Sequence, residues 1–366
     1  MKKAGKIVLV IIITFLSILF LCLLIIIKNS LGKLTPLRDS QNNIIQGSIS
    51  EKVWLDVNGI RQGMFIRGEN PENNPIILFL HGGPGTPELA ILYTYETSER
   101  LEKYFTVCYW DQRGSGMSFN NSIDKASMTL EQFIEDTHKI TEYLKNRFNQ
   151  EKIYLMGHSW GSLLGIKTIE KYPQNYLAFI GIGQVTNSLE SERLSYDYLL
   201  QQANENNDKR AVRNLKKIYK NASDFPTLAY IATVRSPLLN KYGIGITHKK
   251  YSMARENKDI LLFKGYTLME KINYFRGMLF SNMCFWDSAV KINLFESLIS
   301  FQVPVYIIQG RYDYQVSYTL AKEYFSVINA PKKEFYTFEN SAHSPNMEEP
   351  QNFLQILRDI AMENKH

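Results

Sequence analysis

Ser159 stands in the run Gly157-His158-Ser159-Trp160-Gly161, a G-x-S-x-G spacing that suits a serine hydroxyl acting as a nucleophile. Strand-forming Ile153 to Met156 precede it, and Leu163, Leu164, Ile166 and Ile169 recur after it at helical spacing. The sequence therefore predicts a strand, a sharp turn carrying the serine, and a helix. A strained turn lifts Oγ beyond the sheet edge, and a Cβ two residues to either side would clash, which accounts for Gly157 and Gly161. The backbone N–H of Trp160 is then one candidate donor to an oxyanion, reinforced by the positive end of the helix. Glycine and serine are common, so the pattern acquires weight only if the chain also supplies a base, an acid and a second donor.

His343, in Ser341-Ala342-His343, follows a predicted strand from Glu334 to Phe338. It is placed to take the proton from Ser159 and return it to a leaving group. Asp313 follows a strand beginning at Val303, just past its C-terminal end in Gly310-Arg311-Tyr312-Asp313, and is placed to hold the imidazole tautomer. The end of another strand could also supply that acid. Among the six histidines, His81 and His158 belong to the loops around the nucleophile. His138 lies within a helix, His248 in a polar helical region, and His366 is terminal. Pro75 opens the apolar run Ile76 to Leu80, which ends in His81-Gly82-Gly83-Pro84-Gly85. A loop so rich in glycine lets backbone approach a ligand, and the N–H of Gly83 is the second candidate oxyanion donor.

The elements that must position these groups follow strand and helix periods. Val53, Leu55 and Val57 alternate before Asn58-Gly59, with Met64 and Ile66 beyond, a hairpin pattern. Phe105 to Trp110 forms a buried strand, and Asp111 and Arg113 after it are expected to form a local ion pair bracing the His81 loop. Thr129 and Gln132 predict a capping box for a helix carrying Phe133, Thr137, Ile140 and Leu144. Another strand spans Leu177 to Val185. Alternation of apolar strands with helices implies an α/β fold, a mostly parallel sheet with helices on both faces. From about 187 to 300 strand signals fade, and an inserted helical cap is expected there. Its later part, Tyr266 to Trp286, is rich in aromatics and methionine, including Tyr274, Phe275, Met278, Phe280, Phe285 and Trp286. Some of these are expected to fill the cap and the rest to line an apolar pocket above Ser159.

Residues Ile7 to Ile27 are apolar apart from Thr14 and Ser17, about the length of a bilayer-crossing helix. Lys2, Lys3 and Lys6 before it favour a cytoplasmic N-terminus, although Lys28, Lys33 and Arg38 weaken the asymmetry. The expectation is a single-pass protein of the cell membrane with its catalytic domain outside the cytoplasm; a cleaved signal peptide is the rival reading. The chain divides into an anchor (1–28), a linker (29–47), a core in two parts (48–186 and 301–366) and the cap (187–300). Net charge is +6 over 366 residues with 45% hydrophobic content. No basic run interleaved with aromatics points to nucleic acid, and Lys209 to Lys220 reads as a solvated helix face. Three cysteines, Cys22, Cys108 and Cys284, imply no disulfide framework. No metal ion or organic cofactor is called for, and oligomeric state is not legible.

The set HGGPG (His81 to Gly85), WDQRGSG (Trp110 to Gly116), GHSWGSLLG (Gly157 to Gly165), GRYD (Gly310 to Asp313) and SAH (Ser341 to His343) resembles the α/β-hydrolase superfamily. Within it, the chain is most similar to the proline iminopeptidase-like branch of serine peptidases, over about residues 50 to 186 and 301 to 360. The resemblance implies Ser159, Asp313 and His343 as a triad, and Gly83 with Trp160 as the oxyanion hole. Family members carry cap glutamates that hold the substrate's free amino group, and Glu270 is near a suitable position. The expectation is a serine hydrolase working through an acyl-enzyme, releasing an N-terminal residue from short peptides. An esterase or lipid-like acyl hydrolase is the alternative, and a catalytically silent binding module a further one. Dehalogenase or epoxide hydrolase chemistry would need a carboxylate in place of Ser159.

Overall fold

The computed structural model describes residues 2–93, 100–218, 220, 222–248 and 251–364; His366 lies outside them. Eight strands form one sheet in the order β1-β2-β4-β3-β5-β6-β7-β8. They are β1 (Ile49–Val57), β2 (Ile60–Gly68), β3 (Ile76–Leu80), β4 (Thr106–Trp110), β5 (Ile153–His158), β6 (Tyr176–Ile182), β7 (Val305–Gly310) and β8 (Lys333–Phe338). The first hairpin is antiparallel and turns at Asn58-Gly59, both at positive φ, the combination that lets a two-residue turn follow strand twist. β2 also pairs antiparallel with β4, and the remaining pairings, from β4–β3 across to β7–β8, are parallel. β3, β4 and β5 are buried throughout, as continuous apolar strands covered on both faces must be.

The longer helices are numbered α1 (Lys2–Lys28), α2 (Leu130–Phe148), α3 (Trp160–Lys171), α4 (Ser188–Glu205), α5 (Lys209–Leu215), α6 (Ser236–Tyr242), α7 (Met253–Leu262), α8 (Leu268–Ala289), α9 (Tyr318–Val327) and α10 (Pro350–Glu363). One apolar cluster joins one face of the sheet to α2, α3 and α9, and a second joins the other face to α10 and to part of the cap. Between β6 and β7 the described residues contribute no strand to the sheet. Helices α4 to α6 there build a separate core around Tyr196, Leu199, Phe225 and Leu239. Thr129 caps α2 by accepting from Gln132 N–H, but Gln132 turns its amide to Asp136 and the expected reciprocal box does not close.

From Lys6 to Lys28 helix α1 is apolar, largely exposed and long enough to cross a bilayer. The residues after it do not hang free. Leu31 bridges Thr267, Lys33 N–H donates to Lys264 O at 3.2 Å, and Lys271 Nζ of α8 donates to Asn29 O at 2.9 Å. Leu261 O takes a second bond from the same ammonium, and burial pushes the Lys271 pKa down to about 8. The segment expected to act as a linker is thus strapped to the cap.

Candidate active site

Ser159 ends the β5 turn at φ 53° and ψ −119°, a conformation strained for any residue with a Cβ. Its N–H is held by Ile182 O at 2.8 Å. A Cβ on Gly157 would lie 2.1 Å from Gly161 O, and one on Gly161 would lie 2.0 Å from Leu80 O. Both contacts are with backbone, which cannot step aside, so the glycines are required by the packing of α3 against β3 and β5.

His343 is buried, with Nδ1 2.8 Å from Asp313 Oδ2. The carboxylate is held further by Gln309 Nε2 at 2.7 Å and by the N–H groups of Gln315 and Val316 at 3.0 and 2.8 Å. Both carboxylate oxygens thus accept from protein N–H groups, so Nδ1 is the ring nitrogen that donates to Asp313 and Nε2 is left as an acceptor. Nε2 is buried and has no partner. A Cβ on Gly183 would come within 2.8 Å of the ring, so the end of β6 lies directly against it. His343 N–H donates to Gly245 O of the cap at 3.1 Å.

Gly83, at φ +112°, lines with Ser159 and Trp160 a cavity of about 310 Å³ between sheet and cap. The loop before it is fixed through His81, whose Nε2 accepts from Gln112 N–H at 3.1 Å while Nδ1 donates to Gly82 O. Burial lowers the His81 pKa to about 4, consistent with a neutral ring. Gln112 completes the brace by donating to His81 O and accepting from Trp160 Nε1. This replaces the expected Asp111–Arg113 pair. Arg113 instead forms a two-pronged ion pair with Asp136 of α2, at 2.7 and 2.9 Å. Asp111 accepts from Met117 N–H and from Tyr266 OH of the cap, and burial pushes its pKa up to about 7.

A second buried network touches the same loops. Glu88 accepts from Gly82 N–H at 2.7 Å and from His158 Nδ1 at 2.8 Å, and the His158 ring donates through Nε2 to His343 O. Burial opposes charge on both side chains, yet their mutual attraction raises the His158 pKa and lowers that of Glu88. The pair joins the Gly82 loop to the His343 loop.

Glu270 does not reach the cavity. As the third residue of α8 it closes a capping box with Thr267 and pairs with Lys52 Nζ at 2.6 Å. The cap carboxylate that does line the cavity is Glu192 of α4, bound to Arg235 at 2.7 Å; Glu192 Oε2 and Arg235 Nε are buried without partners. Burial raises the Glu192 pKa and Arg235 opposes the rise. No local sequence signal distinguishes Glu192 from the other acidic residues of α4. Of the cap aromatics, Trp286 lines the cavity, whereas Phe285 packs on Trp160 and Phe133 and Tyr274 is in the core.

The family model described as the alpha/beta hydrolase fold matches residues 75–350. The chain is 34% identical over 314 residues to the probable aminopeptidase YbaC of Bacillus subtilis (strain 168), covering 85% of this chain and 96% of that one. It belongs to the α/β hydrolases, in their proline iminopeptidase-like branch. The proline iminopeptidase of Heyndrickxia coagulans is 25% identical over 310 residues, 84% of this chain and 97% of its own. The crystal structure of the Mycobacterium smegmatis proline iminopeptidase shares the fold, with a TM-score of 0.59 at 14% identity, covering 86% of this chain and 99% of that one.

Proposed function

We propose that the chain is a membrane-anchored serine aminopeptidase acting on short peptides. Glu192 carries the specificity part of this reading: it is a buried carboxylate with one unpartnered oxygen, on a residue that lines the same cavity as Ser159. His343 Nε2 takes the Ser159 proton as Oγ attacks the carbonyl carbon of the first peptide bond. The N–H groups of Gly83 and Trp160 receive the oxyanion, strengthened by the N-terminus of α3. The imidazolium, steadied by Asp313, then protonates the leaving amine, and water releases the acyl group by the same path in reverse. Glu192 accepts the substrate's ammonium, a charge-assisted bond that a blocked N-terminus lacks. A roofed cavity of about 310 Å³ admits the end of a peptide and excludes a folded chain. The apolar stretch of α1 holds the enzyme in a bilayer, with the lysines at its N-terminal end on the cytoplasmic side.

An ester-cleaving reading has one observation in its favour. Arg235 already counters Glu192, and much of the remaining lining is apolar, including Leu163, Val185, Ile231 and Trp286.

The test is turnover of prolyl and alanyl amides beside a short-chain ester, for the parent, Ser159→Ala and Glu192→Gln. The aminopeptidase reading requires amide cleavage only with a free amino group, lost in Ser159→Ala. Turnover of the ester alone transfers the assignment to the esterase. Turnover of neither leaves a silent module.

A further inference from the structure

Helix α8 has two faces of unequal logic. Its inner face places Asn282 and Trp286 on the active-site cavity and Tyr274 and Phe285 in the core. Its outer face would ordinarily be polar. Here the exposed positions from Leu268 to Met283 are Leu268, Met269, Ile272, Leu279 and Met283, with Arg276 at the centre, steps of three and four that define one side of the helix, and the exposed face turns polar only in the last turn, at Asp287 and Ser288. Leu279 and Met283 are 62% and 64% exposed. Isolated surface leucines need no explanation, but a stripe of this kind, running roughly 23 Å along one helix, marks an interaction surface.

The strap after α1 indicates what covers it. The apolar helix ends at Lys28, and within six residues the chain is bonded to Lys264 and Thr267, at the first turn of α8. Leu31, itself exposed, adjoins the start of the stripe. The stripe therefore begins where the membrane helix ends. Lys28, Lys33 and Lys264 are exposed at this junction and supply positive charge of the kind that anionic headgroups attract. Apolar residues on one face with cations at the rim are the pattern of a helix lying in the interfacial layer of a bilayer.

We propose that the outer face of α8 rests on the membrane surface, so that the roof of the active site is seated on lipid while its inner face lines the cavity. This rests on the anchor reading of α1. Seating the roof there holds the cavity one helix away from the bilayer surface, since Asn282 and Trp286 of the same helix line it, and favours substrates concentrated in the interfacial layer.

The experiment uses the full chain with Cys22→Ser and Cys284→Ser, leaving only the buried Cys108 besides a single accessible cysteine from Leu279→Cys or Met283→Cys labelled with an environment-sensitive fluorophore, and the chain without the introduced cysteine reports any label taken up at Cys108. Lys322→Cys on exposed α9 and Phe15→Cys within α1 are the controls. Each protein is placed in vesicles of phosphatidylcholine and phosphatidylglycerol, with and without brominated acyl chains. Labels at 279 and 283 are expected to shift to the blue and lose emission to the brominated chains, while the label at 322 does neither. Quenching at position 15 with no change at 279 and 283 overturns the proposal and leaves the anchor standing. Absence of quenching at position 15 shows instead that the anchor reading has failed, and the proposal falls with it. A blue shift at 279 that is not quenched and grows with protein-to-lipid ratio means that a second copy covers the stripe, which also overturns it.

Discussion

Ser159 and Glu192 line one cavity, the first from the sheet and the second from the cap, and they are held there by different means. Around Ser159 the constraint is backbone. The N–H of the serine is bound to Ile182 O, and Gly157 and Gly161 sit where a Cβ would strike a main-chain carbonyl at 2.1 and 2.0 Å. Around Glu192 the constraint is a side-chain ion pair to Arg235, a residue of a π-helical turn, with one oxygen and one nitrogen still unpartnered. A site floor built from main chain tolerates little change, since neighbouring carbonyls cannot move independently of the sheet. A roof built from side-chain pairs can be rewritten one residue at a time. On the proposed reading, that contrast assigns the chemistry to the sheet and the choice of substrate to the cap.

The sharpest test of the floor is Ser159→Ala, expected to reduce kcat by about ten-thousand-fold or more while leaving Tm unchanged. Retained turnover in a steady-state assay would remove the nucleophile from the sheet altogether. Gly161→Ala probes the same region through packing: the added methyl meets Leu80 O and is expected to cost roughly 3 kcal/mol or more, read as loss of the cooperative thermal transition. If Tm held, the floor would be as adaptable as the roof.

Asp111 tests the seam between the two regions, because its carboxylate binds Tyr266 of the cap. Its folded pKa, about 7, lies above the ordinary value of 3.8. Between those values the folded chain binds more protons than the unfolded one, so this group's contribution is complete below the ordinary pKa and fades as pH rises through about 7. The upper bound is roughly 4 kcal/mol across the window. Thermal unfolding followed against pH should show that slope in the parent and a flatter profile in Asp111→Asn.

In the roof, Glu192→Gln is expected to raise KM for substrates with a free amino group by roughly ten- to a hundred-fold, with little effect on an N-blocked ester. An equal effect on both substrates would make Glu192 a structural partner of Arg235 only. Glu270→Gln is the smallest change. It weakens the capping box and the Lys52 pair, expected to cost about 1 kcal/mol in Tm-derived stability with kcat/KM unaltered.

Much of the sheet side was legible because its determinants are local. Apolar runs ending in glycine or polar turns marked β3, β5, β7 and β8; residues past the ends of β3, β5 and β7 line the cavity, and His343, past β8, meets Asp313, past β7. The cap was legible as a helical region and little more. Glu270 looked available because the family carries cap glutamates and it lies near a suitable position, but being three positions after Thr267 commits it to the helix end. Arg113 lay close to Asp111 in sequence, yet its ion-pair partner is Asp136, brought to it by α2.

By itself, the sequence determined which segments become strands, that Ser159 sits in a strand-to-helix turn, and that an apolar helix leads the chain. Those outcomes follow from periodicity, turn chemistry and the steric needs of glycine, all of which act over a few residues. Tertiary structure alone decided that Asp313 and His343 meet at 2.8 Å, that Gln112 braces the Gly82 loop, that Glu192 is the cap carboxylate in the cavity, and that residues after α1 are strapped to α8. Each of these depends on how far apart segments of the chain pack, and side-chain pairing across such distances has no periodic signature in sequence.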